Sequence, residues 1–220
     1  RARRGVVFGS GGYSHNVELC RLHQPWVYGT CSLPGSTGDF IALAQAAGAR
    51  MGTLGTAWRS QVVLGEALDS RGVGWGAFVL PGDSMILVNK YGKRVVNEKR
   101  DYNDRTQSHF HYDAAHEEYT NHLQFMLFDE RSVDAFGGAF PFPANKGEQP
   151  HLIAGATWDE LFARVDAQLA KWASHTGGLR LADGFAATAR ATIESFNGYA
   201  RAGIDPEFNR GKYLYDREWH

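Results

Sequence analysis

The run from Pro81 to Tyr102 constrains this chain more than any other stretch. Met85-Ile86-Leu87-Val88 is continuously apolar with β-branched members, the pattern of a buried strand. Asn89-Lys90-Tyr91-Gly92 supplies turn chemistry, and Gly92 is free to adopt a positive φ. Lys93 to Val96 resumes an extended pattern, so the spacing predicts a β-hairpin. The hairpin exits through Asn97-Glu98-Lys99-Arg100-Asp101-Tyr102, a patch dense in polar and aromatic groups that fits a functional site. An exposed hairpin with a charged tip gives the same pattern, so the rest of the chain must decide.

The bulk properties narrow the field. A chain of 220 residues, 43% hydrophobic and 13% aromatic, buries a real core as one large domain or two small ones. The formal net charge of −1 carries no basic bias, so neither nucleic acid nor an anionic membrane surface is expected as a partner. Arg1, Arg3 and Arg4 read as a solvated chain end. No apolar run approaches the ~20 residues that a membrane-spanning helix needs. Cys20 and Cys31 could pair, but nothing around them demands it, and reduced thiols in a cytoplasmic protein are expected. The chain does not begin with Met and opens on a strand-like run, which predicts a fragment of a longer protein whose targeting, including any membrane association, stays open.

Taken in order, Gly5-Val6-Val7-Phe8-Gly9 has the unalternating apolar pattern of a buried parallel strand. Ser10-Gly11-Gly12-Tyr13 follows, where two glycines permit a sharp turn and a close approach to another group. Ser14-His15-Asn16 offers cap chemistry for a helix over Val17 to Leu22. A strand ending in paired glycines before a helix is where α/β folds bind phosphates and nucleotides, although a turn with no ligand has the same pattern. The small-residue loop Gly29 to Asp39 feeds a helix from about Phe40 to Ala47, closed by Gly48. Asp39 can cap that helix, and the Gly38 amide and Asp39 carboxylate could also face a cofactor's hydroxyls or ring edge.

From Met51 to Gly76 periodicity fades, and Gly52 to Arg59 reads as a loop lined by Trp58. Trp75 to Leu80 reads as extended, and the polar segment Asn103 to Tyr119 as helical. Leu123 to Phe128 has strand character, followed by a short helix from Arg131 to Phe136, a loop over 137–149 and a short strand at His151 to Ala154. Thr157-Trp158-Asp159-Glu160 is a capping box, opening a helix with Leu161, Val165, Leu169 and Trp172 on one face and a stop at Gly177-Gly178. A second helix is expected from Asp183 to Ala202, with Phe185, Ala189, Ile193, Phe196 and Tyr199 as its stripe and Gly203 as its end. The tail from Ile204 is charged and aromatic without period.

His109, His111, His116 and His122, with Asp113 and Glu117, invite a metal reading, but their spacing matches no known ligand pattern. No Gly-x-Ser-x-Gly elbow and no complete Gly-x-Gly-x-x-Gly fingerprint is present.

In combination the segments resemble the fumarate reductase/3-ketosteroid dehydrogenase family of FAD-dependent oxidoreductases. Val6-Val7-Phe8-Gly9-Ser10-Gly11-Gly12-Tyr13-Ser14 looks like that family's glycine-ended strand. Gly35-Ser36-Thr37-Gly38-Asp39 with Ala46-Ala47-Gly48-Ala49 is similar to its Thr-Gly-Asp-Gly helix. Ile86 to Asn89, Gly92-Lys93-Arg94 and Asn97-Glu98 match its cap-domain signature, and Phe208-Asn209-Arg210-Gly211 with Tyr215-Asp216-Arg217 fits its tail. The resemblance implies an α+β substrate-binding cap attached to a fragment of an α/β FAD-binding domain: residues 1–54 from the FAD domain, 55–203 the cap, and 204–220 returning towards the FAD domain. The family's first strand would precede Arg1 and its closing FAD segment would follow His220, so retention of FAD by this piece alone is open.

Within that family, a proton-donating arginine of the fumarate reductases lies four residues after the Asn-Glu pair; Tyr102 stands there instead. Phe78 and Pro81 take the places of an acidic residue and an arginine, and Thr56-Ala57-Trp58-Arg59 replaces an expected His-Pro. An apolar lining does not suit two buried carboxylates. The resemblance is therefore to the steroid dehydrogenase branch, with Tyr102 as proton acceptor or carbonyl polariser. A tyrosine has an ordinary pKa of about 10 and needs burial beside positive charge, or a polarised substrate, to act as a base. Arg100 and Arg105 are near Tyr102 in sequence, their direction open. The implied cofactor is FAD, held by Ser10, Gly11, Gly12, Ser36, Thr37, Gly38 and Asp39. Trp58 and Phe78 would line a small hydrophobic ketone, 3-ketosteroid-like, which is desaturated with hydride transfer to flavin and electrons passed to an external acceptor. A fumarate-reductase-like enoate reductase and a non-catalytic fragment are the alternatives.

Overall fold

The computed structural model describes residues 2–144 and 150–218, which divide into two compact units, Arg1–Gly76 and Ala77–His220. The loop expected over 137–149 therefore lies partly outside the described residues. The boundary between the units falls at Gly76, within the segment that the sequence assigns to the cap.

The first unit holds three short helices, α1 (Val17–His23), α2 (Asp39–Ala46) and α3 (Leu64–Asp69). Asn16 caps α1 as its position implies, its side-chain oxygen accepting the Leu19 N–H at 3.0 Å. Gly38 precedes α2 at φ 82° and Gly48 follows it at φ 80°, so left-handed glycines bracket the helix. Helix α3 was not foreseen. Its six residues are too few to show a period, and the Glu66 carboxylate secures the chain after it by accepting the Gly74 N–H at 3.1 Å.

The strand expected at Gly5–Gly9 does not form; Val7 is 96% exposed and Val6 69%. A strand exists through its ladder, and among the described residues the first unit contains no strand to pair with it.

The second unit is built around β1 (Met85–Val88), whose four residues are all buried. After it come α4 (Tyr102–Gln107), β2 (Tyr112–Asp113), β3 (Glu118–Tyr119), β4 (Phe125–Phe128), α5 (Glu130–Phe136), α6 (Trp158–Lys171), α7 (Ala173–Thr176), α8 (Phe185–Ala202) and α9 (Leu214–Glu218). β1 pairs antiparallel with β4, Met85 opposite Phe128 and Val88 opposite Phe125.

This corrects the hairpin. The turn itself is present, with the Asn89 N–H bonded to the Lys93 carbonyl at 3.0 Å and the Gly92 N–H to the Asn89 carbonyl at 2.9 Å. The returning arm, however, makes only one bridge to β1, Val88 to Arg94. Its departure from the sheet accompanies the burial of the Arg94 side chain, which is drawn into ion pairs.

The helix expected over Asn103–Tyr119 stops after α4 and one tight turn at Ser108–Phe110, giving way to the β2–β3 hairpin. Asp113 breaks the helical pattern by accepting the N–H groups of Ala115 and His116. No strand forms at Trp75–Leu80 or at His151–Ala154.

β1 is unalternating because both its faces are covered. Ile86 and Val88 pack with Leu127, Phe162 of α6, and Phe185 and Ala189 of α8. Met85 and Leu87 pack on the other side with Ala77, Leu80 and Phe142. Half of the capping box of α6 forms as expected, Thr157 accepting the Glu160 N–H at 3.2 Å, while the Glu160 carboxylate reaches one residue further back and accepts the Ala156 N–H at 2.8 Å. Val165 and Leu169 of the expected α6 stripe are buried, Phe162 joins them, and Leu161 and Trp172 are half-buried.

Polar groups bind the tail to this core. Glu98, with no exposed surface, accepts from Arg94 at 3.0 and 2.9 Å, from Arg210 at 3.3 Å and from the Leu87 N–H at 3.2 Å. Arg94 also reaches Asp205 at 3.1 and 2.9 Å. Burial alone would pull the Arg94 guanidinium down, but Glu98 and Asp205 overcome it and hold the group above its ordinary value. Asp216, also fully buried, accepts from Asn97 at 2.9 Å and from the Gly211 N–H at 3.1 Å.

Gly92 lies against α8 at φ 76°, where an added Cβ would sit 2.7 Å from the Ala189 nitrogen and 2.9 Å from the Phe185 oxygen. Gly184, at φ 79°, has open space instead. Gly92→Ala should therefore cost more than the ~1–2 kcal/mol that left-handed strain alone costs, and more than Gly184→Ala, in denaturant unfolding. Equal costs would show that the turn yields freely.

Lys99 is buried, and its Nζ donates to the Leu80 carbonyl at 2.6 Å. Burial, with Arg210 and Arg105 nearby, lowers its ammonium to about 8. An unfolded lysine titrates near 10.4, so between these values the unfolded chain binds more proton and stability rises with pH. Unfolding free energies measured across that window should rise more steeply for the native sequence than for Lys99→Met.

Candidate functional site

In the first unit the residues implied for FAD converge. Gly11 turns at φ 84°, and an added Cβ there would meet the Ser36 Oγ at 3.0 Å. The Gly12 carbonyl accepts the Gly38 N–H at 3.1 Å, and the His15 N–H donates to the Ser36 carbonyl at 3.0 Å. Asn16 Nδ2 donates to the Thr37 carbonyl at 3.1 Å, so the α1 cap also ties the two loops together. Gly38 admits no side chain, since a Cβ would lie 2.7 Å from that of Tyr13.

Ser10, Gly11, Gly12 and Asp39 are exposed on this junction, while Ser36 and Gly38 are buried beneath it. Asp39 is the first residue of α2 rather than its cap, and its Oδ1 accepts from the Thr37 hydroxyl at 2.9 Å. The Gly38 amide is spent on Gly12, so its contribution is the turn rather than a donor for a ligand.

The junction suits a flavin nucleotide on chemical grounds. Gly12 has nothing within 4 Å of where a Cβ would sit, leaving bare backbone open to close approach. Beside it are hydroxyls, a carboxylate and a helix start with no side-chain cap. Trp58, also in this unit, is 83% exposed.

In the second unit, Tyr102 opens α4 and Phe78 meets it edge-on, with ring centroids 5.0 Å apart and planes at 77°. Both rings are half-buried. Two residues singled out separately are therefore neighbours. Asp101 caps α4 by accepting the Asn103 N–H at 2.9 Å, and the Thr106 hydroxyl donates to the Tyr102 carbonyl at 2.6 Å. The Tyr215 hydroxyl lies 3.5 Å from Asp101 Oδ2. Burial pushes the Tyr215 phenol up, Asp101 adds to this, and Arg105 opposes it. Burial also lowers the Arg105 guanidinium to about 10.

Arg105, expected as a charge near Tyr102 in sequence, is buried on α4 at a helical offset of three from it. Asp101 and Tyr215 were not singled out from the sequence as site residues.

Of the histidine cluster, His109 Nδ1 lies 3.0 Å from the His122 carbonyl and His116 pairs with Asp113 at 2.8 Å. Among the described residues no group of three or more histidine, cysteine or acidic side chains is arranged to hold a metal ion. Cys20 and Cys31 are free thiols, one buried and one exposed. Among the described residues no helix is long and apolar enough to cross a membrane.

Comparison with known proteins identifies the family. The chain is 30% identical over 221 residues to a 4-oxocyclohexanecarboxylate 2-dehydrogenase of Sinomonas cyclohexanicum, covering 99% of this chain and 35% of that protein. It is 32% identical over 229 residues to a 3-oxosteroid 1-dehydrogenase of Mycolicibacterium smegmatis, covering 99% of this chain and 36% of the relative. The crystal structure of 3-ketosteroid delta1-dehydrogenase from Sterolibacterium denitrificans, in complex with 1,4-androstadiene-3,17-dione, superposes with a TM-score of 0.70 at 26% identity over 99% of this chain and 37% of that one. The chain thus spans little more than a third of the length of these relatives. The model of the FAD binding domain family matches residues 1–220, and the chain belongs to that family.

Proposed function

We propose that the full-length protein carrying this chain is an FAD-dependent dehydrogenase that desaturates a ketone next to its carbonyl, with a 3-ketosteroid-like ring as the substrate class. The observation that carries the reading is the Tyr102–Phe78 contact, a phenol packed on an apolar ring at the position where a reductase of dicarboxylates would carry charge. It is supported by the similarity of nearly the whole chain to dehydrogenases named for oxo-substituted rings. In this reading residues 1–54 belong to the FAD-binding domain, 55–203 form the substrate-binding cap and 204–220 lead back towards the FAD domain.

Desaturation removes a proton from the carbon beside the carbonyl and a hydride from its neighbour, and the C=C bond forms between them. Bound FAD supplies the two-electron acceptor, which an external acceptor then reoxidises. The Tyr102 oxygen takes the proton or polarises the carbonyl. The Phe78 ring offers apolar surface to the substrate and holds the phenol. Ser10, Gly11, Gly12, Ser36, Thr37, Gly38 and Asp39 form this chain's share of the cofactor site: glycine backbone for close approach, hydroxyls and a carboxylate for the polar groups.

Tyr102→Phe in the full-length flavoprotein, assayed with a 3-ketosteroid and an artificial electron acceptor, should lower kcat by roughly 10²–10⁴-fold with flavin content unchanged. Undiminished turnover would remove Tyr102 from the chemistry, and a full-length protein without a flavin absorbance band would remove the function altogether.

Gly12→Val tests the cofactor site separately. The position is open within the chain, so its stability without flavin should stay within about 0.5 kcal/mol of the native value. Flavin retention on gel filtration should nevertheless fall sharply. Full retention would show that FAD does not approach Gly12.

A further inference from the structure

Arg105 has no role in the reading so far, yet its side chain is fully buried. It lies on α4 just under one turn after Tyr102. Its Nη1 donates to the Glu98 carbonyl at 2.9 Å, and its Nη2 donates to the carbonyl of Ala77. Ala77 is the residue before Phe78, and Glu98 begins the turn that leads into Tyr102. One planar guanidinium therefore spans the two backbone segments whose side chains meet as the Tyr102–Phe78 pair. A compact ammonium lacks the rigid fork that holds two acceptors at fixed separation, and an amide is too short to bridge both.

Resting on the assignment of Tyr102 to proton transfer, we propose that Arg105 is the positioning residue of this site: it clamps the Ala77–Phe78 segment to the Glu98–Tyr102 turn and so sets the phenol. The remaining bonds fit that role. Asp101 fixes the first turn of α4 from one side, and Thr106 holds the Tyr102 carbonyl from the other. The phenol then keeps only the torsions of its own side chain, and the Phe78 ring limits those. Placement within ångströms matters, since a shift of about 1 Å at a reacting group can cost on the order of 100-fold in rate.

The test uses the full-length holoprotein with Arg105→Lys and Arg105→Met, each alone and combined with Tyr102→Phe, matched for flavin absorbance. Each single Arg105 change should lower kcat by roughly 10–100-fold while KM stays within about threefold. On the Tyr102→Phe background the same changes should cost less than about twofold, because the group they position is gone. A wild-type kcat for Arg105→Lys, or an equal loss on both backgrounds, overturns the proposal; the second result marks a general structural role. Full kcat in Tyr102→Phe alone removes the assignment beneath it, an outcome distinct from failure of the clamp. If neither Arg105 variant retains flavin, Phe78→Leu tests the same linkage. It should lower kcat when Tyr102 is present and not on the Tyr102→Phe background. An unchanged kcat, or a loss of kcat that persists with Tyr102→Phe, overturns the clamp.

Discussion

The buried carboxylate of Glu98 is the constraint on which the second unit depends. It receives two bonds from Arg94, one from Arg210 and one from the Leu87 N–H, so a single side chain joins β1, the turn that follows it and the tail. Removing one partner from such a cluster costs about 3–5 kcal/mol, although apolar packing of equal volume could be as stable. What the cluster supplies is a single arrangement, because a slip of either arginine leaves charge buried without its partner. The rings of Phe196 and Phe208 lie over the Arg94 guanidinium, centroids 4.7 and 5.0 Å away, and add cation–π contact to the cluster.

That arrangement also holds the backbone that leads to Tyr102. The turn held by Glu98 runs directly into Tyr102, and the backbone carbonyl of Glu98 is one of the two that Arg105 grips. The same residue thus anchors the core through its side chain and the site through its main chain. In the first unit the logic is the reverse. There the glycines at 11, 12 and 38 let two loops and a helix start meet without side chains between them, and what remains exposed is backbone, hydroxyl and one carboxylate.

Locally determined features were legible in the sequence. Asn16, Thr157 and Gly203 act where cap and stop chemistry placed them, since each depends only on neighbours within one turn. The turn at Asn89–Gly92 was legible for the same reason, but the partner of β1 was not. Pairing with β4 is a long-range contact, and the nearer arm at Lys93–Val96 had an equally good pattern. The Gly5–Gly9 run shows the complementary failure: its apolar pattern is that of a strand, but pattern cannot provide the neighbour that makes one. At the candidate site, family resemblance pointed to Tyr102 and Phe78, and Arg105 stood out only as a nearby charge. Its bonds to the Ala77 and Glu98 carbonyls were not legible, because a buried arginine looks in sequence like any solvated helix residue.

The distribution of charge also weighs between the two readings of substrate. A site for a small dicarboxylate needs cations that can turn to the ligand. In the second unit the buried cations have protein partners: Arg94 and Arg210 bind Glu98, Lys99 the Leu80 carbonyl, and Arg105 the carbonyls of Ala77 and Glu98. Arg100, more exposed, pairs with Asp104 at 3.3 Å. Redirecting any of the buried groups to a ligand would break bonds that hold the turn itself. The cations here support the backbone that carries Tyr102, and what that backbone presents is a phenol and a ring. A phenol and a ring are what the proposed neutral ketone needs, one polar partner for its carbonyl and apolar surface for its carbon skeleton.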